Sequence, residues 1–136
     1  MKSRFSSILY CGFIILAVIG CSELRKKNAV RESTPDFEIT ADQLAKEFKE
    51  GPFAADMKYT GQTLAITGRV DQTLLGTVIA FTGHEQIGFV TQCNFDKDGA
   101  DSYKKIKRGD ELTVVGVCMG RDTNDGPLII SHCILR

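Results

Sequence analysis

The sequence is 136 residues long and balanced in charge, with 17 Lys and Arg against 17 Asp and Glu. The balance is uneven: residues 22–35 hold Arg25, Lys26, Lys27 and Arg31 against Glu23 and Glu32, a net +2, while Asp36 to Arg136 hold 11 basic and 15 acidic residues, a net −4. Contact with phosphate backbones is driven by Lys and Arg, so the acidic portion argues against charge-driven nucleic-acid binding, and at roughly a hundred residues it holds one core rather than two.

The first twenty residues read as a targeting segment: Lys2 and Arg4, a largely apolar run from Ile8 to Ile19, then Val18-Ile19-Gly20-Cys21. A basic start, a short apolar core and small residues before a cut site describe a secretory signal. The apolar run is shorter than the roughly twenty residues of a membrane-spanning helix. The Gly20-Cys21 junction resembles the lipobox of bacterial lipoproteins, which implies cleavage before Cys21 and lipid attachment to it. The expected organisation is a signal peptide over 1–20, the lipidated Cys21 with a flexible tether over 21–36, and a globular domain over 37–136. The basic tether is expected either to lie beside anionic headgroups or to be a solvated linker. Ser22, rather than Asp, after the cysteine favours the outer membrane, facing the periplasm, in a cell with two membranes.

"ITADQLAKEF" opens a helix: Thr40 is a good N-cap, Gln43 three residues on completes a capping box, and Leu44, Ala45 and Phe48 share one face. Gly51-Pro52 breaks it, and Pro52 suits the first turn of a second short helix over Phe53 to Met57. This helical segment is expected to pack on the domain from outside. The period then changes to two, with Leu64, Ile66, Gly68 and Val70 alternating against Thr63, Ala65, Thr67 and Arg69, as in a half-buried strand. Gly76 to Gly83 reads as a second strand and Gln86 to Phe95 as a third. A polar loop with a short helix around Ala100 to Ile106 follows. Asp110 to Cys118 is a fourth strand, Arg121 to Pro127 a turn cluster, and Leu128 to Leu135 a fifth.

Five strands with a short helix between the third and fourth is the order of an OB-fold, a mainly β, five-stranded Greek-key barrel, here with an N-terminal helical segment. A repeat supports it. Lys58 to Val70 and Ile106 to Cys118 align at an offset of 48, placing Gly61 on Gly109, Leu64 on Leu112, Ile66 on Val114 and Gly68 on Gly116. In an OB barrel the first and fourth strands are neighbours, and a glycine inside a strand marks a bulge, a bend or a close backbone approach.

The segment "ITADQLAKEFKEGPFAADMKYTGQTLAITGRV", the cysteine of "TQCNF", "IKRGDELTVVGVC" and the closing "HC" resemble the tRNA_anti-like family of bacterial OB-fold lipoproteins over nearly the whole mature domain. Gly51-Pro52 departs from the polar residue that relatives often carry there. The resemblance implies a fold like that of anticodon-binding domains; it implies neither tRNA binding nor any catalytic residue.

Cys11 falls in the signal and Cys21 at the lipid site, which leaves Cys93, Cys118 and Cys133 as disulfide candidates in an oxidising compartment. A fourth–fifth strand hairpin turning at Arg121 to Gly126 sets Cys118 opposite a residue near Leu128. Cys133 then lies about five residues further on, some 16 Å at strand rise, beyond the Cα separation of roughly 7 Å that a disulfide allows. Parallel third and fifth strands favour Cys93 with Cys133. Resemblance to relatives with cysteines matching 118 and 133 keeps Cys118–Cys133 open.

Asn94, Asp96, Asp98 and Gly99 match the first half of a calcium loop, but Lys105 stands where a bidentate acid is needed, and Lys104 and Lys107 repel a cation; a solvated turn with Asp98 or Asp101 capping a helix is the plainer reading. His84 sits in a turn. His132 adjoins Cys133 and could join Cys93 or Cys118 around zinc or copper, though no CxxC or HxxxH spacing supports this. Arg108-Gly109-Asp110 reads as the turn into the fourth strand. No nucleophile elbow, acid–base pair or phosphate loop is present. The expected function is therefore non-catalytic and without cofactor: a membrane-anchored envelope module binding a protein, peptide or glycan. A thiol or metal protein using Cys93, Cys118 or Cys133 is the alternative. Single-strand binding, which needs exposed aromatics beside basic residues, ranks last because the chain has no Trp and its Phe residues fall mostly at core positions.

Overall fold

Two long strands, Thr63–Leu74 and Glu111–Arg121, set the architecture, because Leu64, Ile66 and Val70 of the first and Val114, Gly116 and Cys118 of the second are buried along one face. The structure, a computed structural model, describes residues 34–81, 90–97 and 103–136. In chain order these form β1 (Phe37–Thr40), α1 (Ala41–Glu50), α2 (Pro52–Tyr59), β2 (Thr63–Leu74), β3 (Val78–Phe81), β4 (Thr91–Phe95), β5 (Glu111–Arg121) and β6 (Leu128–Leu135). The sheet runs β1-β2-β3-β4-β6-β5 and closes through β2 against β5. Strands β2 to β6 are thus the five-stranded OB-type barrel, with β4 and β6 parallel as that order requires.

The sixth strand, β1, was not expected. Phe37–Thr40 pairs in parallel with Leu64–Thr67, and the sequence reading had absorbed Ile39 and Thr40 into the helix start. Thr40 serves both elements: its extended backbone ends β1, while its hydroxyl accepts from the Gln43 amide at 3.1 Å. The capping box is only half made, since the Gln43 side chain reaches forward to Glu47 at 3.2 Å. Expected strands two and three shorten to Val78–Phe81 and Thr91–Phe95, with residues 82–89 outside the described residues. Of the helix expected over Ala100 to Ile106, the described part is a turn closed by Ile106 N–H donating to the Tyr103 carbonyl at 3.1 Å.

The helices are not an outer layer on a finished core. Leu44, Ala45, Phe48, Ala55 and Tyr59 are buried in one cluster with Leu64, Ile66, Val114, Cys118 and Ile130, so α1 and α2 contribute directly to the barrel core. Lys58 and Tyr59 pin the two together: the Tyr59 hydroxyl donates to Glu47 at 2.7 Å and the Lys58 ammonium reaches the same oxygen at 3.0 Å. Lys58 also stands over the Phe37 and Tyr59 rings.

The repeat has a geometric meaning. Strands β2 and β5 are antiparallel with Ile66 opposite Val114, the two residues that the repeat equates. Each copy's glycine therefore faces the other copy's leucine, Leu64 opposite Gly116 and Gly68 opposite Leu112. The glycines also admit neighbours. A Cβ on Gly68 would lie 2.7 Å from Phe81 and 2.9 Å from Ala41, and one on Gly116 would lie 2.7 Å from Ile130 and 2.9 Å from the Cys133 sulfur. On the outer face Ala65 and Val115 are buried as well, in a small cluster with Val117 and Ile134, where strict alternation predicts exposure.

Candidate functional site

Proline at the first turn fixes where α2 starts, and its apolar residues then fall into two sets. Ala55 and Tyr59 point inward, leaving Phe53 79% and Met57 73% exposed. Strand β5 comes close beside this helix at Gly120, whose φ of +82° and proximity to Asp56 (2.8 Å from a built Cβ) both require glycine. The Thr60 hydroxyl donates to Asp56 at 2.7 Å. Past Gly120 the chain turns; Arg121 Nε donates to the Gly126 carbonyl at 3.3 Å, and the Gly126 amide to that of Thr123 at 3.1 Å.

Between helix and turn lies an open cleft of about 430 Å³, walled by Phe48, Pro52, Phe53 and Asp56 on one side and Arg121 to Asn124 on the other. Its surface is more apolar than polar, with two carboxylates, Asp56 and Asp122, and one guanidinium at its walls. Such a lining suits an apolar group that carries hydrogen-bond donors. Loops joining these strands are where OB barrels take ligands. The sequence reading, which places most Phe residues in the core, does not single out the cleft; Phe48, Phe81 and Phe95 are buried, but Phe53 is not.

A second group of residues meets at the β4–β6 seam. The two-residue step from Cys93 to Phe95 in β4 spans a three-residue step from Ile130 to Cys133 in β6, and His132 adopts φ +55°. This is a β-bulge, and it reverses facing: Ile130 and Cys133 both point inward although three residues apart. Cys93 and Cys133 are both buried in the core cluster, where the Cys133 thiol donates to the Ile130 carbonyl at 3.4 Å and has Cys93 beside it. Burial pushes the Cys133 thiol well up. His132 turns outward, its Nδ1 3.2 Å from Asp96 Oδ2.

These placements revise several expectations. Cys118 stands opposite Ile130, not near Leu128, which instead pairs with Arg121; two register shifts between β5 and β6 separate the observed ladder from a regular hairpin. Cys93, Cys118 and Cys133 are all thiols in this structure. Asp96 is engaged with His132, and the Asn94 side chain accepts from Gln92 at 2.9 Å, so the two described candidates for a calcium loop are turned to protein partners; Asp98, Asp101 and His84 lie outside the described residues, as does Cys21. His132 and Cys133 face opposite sides of β6, so His132 does not join the buried thiols in one ligand set. No group of three or more His, Cys, Asp or Glu able to hold a metal occurs among the described residues. Arg108-Gly109-Asp110 is a turn: Gly109 N–H donates to the Val70 carbonyl at 2.7 Å, Lys107 N–H to Asp110 at 2.8 Å, and Arg108 pairs with Asp71 at 2.9 Å.

Residues 1–134 match the sequence model of the tRNA_anti-like family. Among solved structures, a "putative nucleic acid-binding lipoprotein" from Klebsiella pneumoniae subsp. pneumoniae MGH 78578 superposes with a TM-score of 0.56 at 15% identity, over 80% of this chain and 96% of that one; at that identity the likeness is one of fold. No curated protein shows significant similarity to the sequence.

Proposed function

The chain belongs to the tRNA_anti-like family, and from that premise we propose that it is a lipid-anchored, non-catalytic binding module of the bacterial cell envelope, which takes a protein, peptide or glycan at the cleft between α2 and the β5–β6 turn. The observation that carries the anchoring is the N-terminus, where Lys2, Arg4, the apolar run and Gly20-Cys21 combine. The similar Klebsiella protein is also described as a lipoprotein. Cys21 carries the lipid, the tether spans to the barrel, and Ser22 directs the protein to the periplasmic face of the outer membrane in a cell with two membranes. Supporting the binding role is Phe53, a large aromatic exposed beside the cleft.

Metabolic labelling with a fatty-acid analogue tests the anchor: wild-type protein takes up label and Cys21→Ala does not. Equal labelling of the two removes the lipoprotein reading.

The Klebsiella protein's description names nucleic acid, which raises a second reading for this chain. Here the exposed aromatic stands beside Asp56 and Asp122, with Arg121 the one cation among the described residues that line the cleft, and the domain carries a net −4. Gel shifts with single-stranded DNA and RNA are expected to show no complex at physiological salt. A complex that persists there, with affinity falling steeply as salt rises, establishes the nucleic-acid reading instead.

A further inference from the structure

The bulge at His132 has a chemical consequence. Cys133 pairs with Phe95, two residues beyond Cys93. In a flat ladder such diagonal neighbours stand about 7–8 Å apart, at the edge of the roughly 7 Å limit for a disulfide. The extra residue in β6 sets Cys133, rather than His132, opposite Phe95 and turns its side chain into the core beside that of Cys93. Gly116 completes the arrangement from the other side of β6, because the Cys133 sulfur occupies space that a Cβ there would need.

Cys118 is placed differently. It lies opposite Ile130 across β5–β6, while Cys93 lies opposite Ile130 across β4–β6, so Cys93 and Cys118 are two strand spacings apart, about 9.5 Å. Within the same core cluster, the Cys118 thiol has the Gly120 backbone and the Asp56 carboxylate on its α2 side.

We propose that Cys93 and Cys133 are the site of a single disulfide tying β4 to β6, formed as the chain folds, with Cys118 left as a buried thiol. The pairing stands on the barrel geometry alone; only the oxidising setting rests on the envelope reading above. The oxidant is an external disulfide. One cysteine thiolate attacks it, giving a mixed disulfide and releasing one thiol. The second cysteine thiolate then attacks the protein sulfur and displaces the other thiol. The pair loses two protons and two electrons, one sulfur–sulfur bond forms, and the external disulfide is reduced to two thiols. With both sulfurs buried in the folded barrel, the exchange takes place before the seam closes.

The test is refolding of the full chain from the reduced, unfolded state in mixed oxidised and reduced glutathione. The sample is quenched in acid, alkylated in denaturant and digested. Trypsin separates the three cysteines into Val70–Lys97, Gly109–Arg121 and Asp122–Arg136. The expected result is a linked species joining Val70–Lys97 to Asp122–Arg136, with Gly109–Arg121 alkylated, so that three thiols in these peptides fall to one. The Cys118→Ala variant is expected to keep that link. A link that includes Gly109–Arg121, three alkylated peptides, or loss of the link in Cys118→Ala each overturns the proposal.

Discussion

Replacing Gly116 by Ala tests the packing of β5 against β6 directly. At a site with room, this substitution stabilises: the added methyl buries about 0.8 kcal/mol of apolar surface, and loss of glycine's freedom in the unfolded chain adds about 0.4–1 kcal/mol. Gly116 has no such room. A Cβ there meets Ile130 Cγ2 at 2.7 Å, the Cys133 sulfur at 2.9 Å and the Ser131 carbonyl oxygen at 2.9 Å. Carbon–carbon contacts are comfortable at about 3.5–4.0 Å, so Ile130 must retreat by roughly 1 Å into a filled core, and the oxygen belongs to backbone. Overpacking of this kind costs typically 1–3 kcal/mol, and the backbone contact puts the expected net loss near 2 kcal/mol. For a domain of this size that lowers the melting temperature by roughly 8–16 °C, and the urea midpoint falls with an unchanged slope. Measured with reductant present, Gly116→Ala combined with Cys133→Ala should cost less than the sum of the single changes, because removing the sulfur relieves one contact. A Gly116→Ala protein as stable as wild type refutes the close approach.

Two further expectations follow from individual side chains. The Tyr59 hydroxyl, foremost among its neighbours, holds the Glu47 carboxyl below its ordinary value; a carboxyl lowered on folding adds stability above its unfolded value, and the gain is lost as pH falls through the lowered one. Tyr59→Phe should therefore cost about 1.5 kcal/mol near neutral pH, the low end for a bond to a charged group, and the difference from wild type should shrink in denaturation at pH 3; a penalty as large at pH 3 as at pH 7 contradicts this account. Burial pushes the Cys118 thiol up to about 11, so at pH 8 roughly one molecule in a thousand carries the thiolate, and iodoacetamide should label native Cys118 far more slowly than the unfolded chain; complete labelling of native Cys118 within minutes at pH 8 shows the thiol to be open.

Much of the barrel was legible in the sequence because period-two alternation reports facing directly. The repeat around Ile66 and Val114 gave the neighbouring pair, and the strand order gave the parallel β4–β6 contact. What escaped was set by tertiary placement. Phe37–Thr40 is too short to announce itself and becomes a strand only because Leu64–Thr67 lies beside it. In α2, Ala55/Tyr59 and Phe53/Met57 are both apolar pairs at a spacing of four, and the sequence alone does not tell which pair faces the barrel; the larger aromatic, Tyr59, goes inward with its hydroxyl partnered to Glu47. Two apolar pairs on one short helix are nonetheless a readable signal that one is left outside. The register near Cys118 departs for a local reason: the β5–β6 ladder slips between Cys118 and Gly120, where Gly120 takes φ +82°, and slips again at Ser131-His132-Cys133, where no glycine marks the bulge and His132 takes the positive φ itself.

The mutual pairing of Gly68 with Leu112 and Leu64 with Gly116 has a further consequence for assembly. A strand that complements its own repeat also complements itself: two copies of β2 from different molecules can lie antiparallel about Ile66, each Leu64 against the other's Gly68, and β5 can do the same about Val114. The seam's side chains therefore encode a register without encoding a partner. Within one chain the partner is chosen by tethering, since the linked strand is present at far higher effective concentration than any strand from another molecule. When the barrel opens in a crowded solution that advantage narrows, and exchange of β2 or β5 between molecules recreates the same glycine–leucine contacts without new surface.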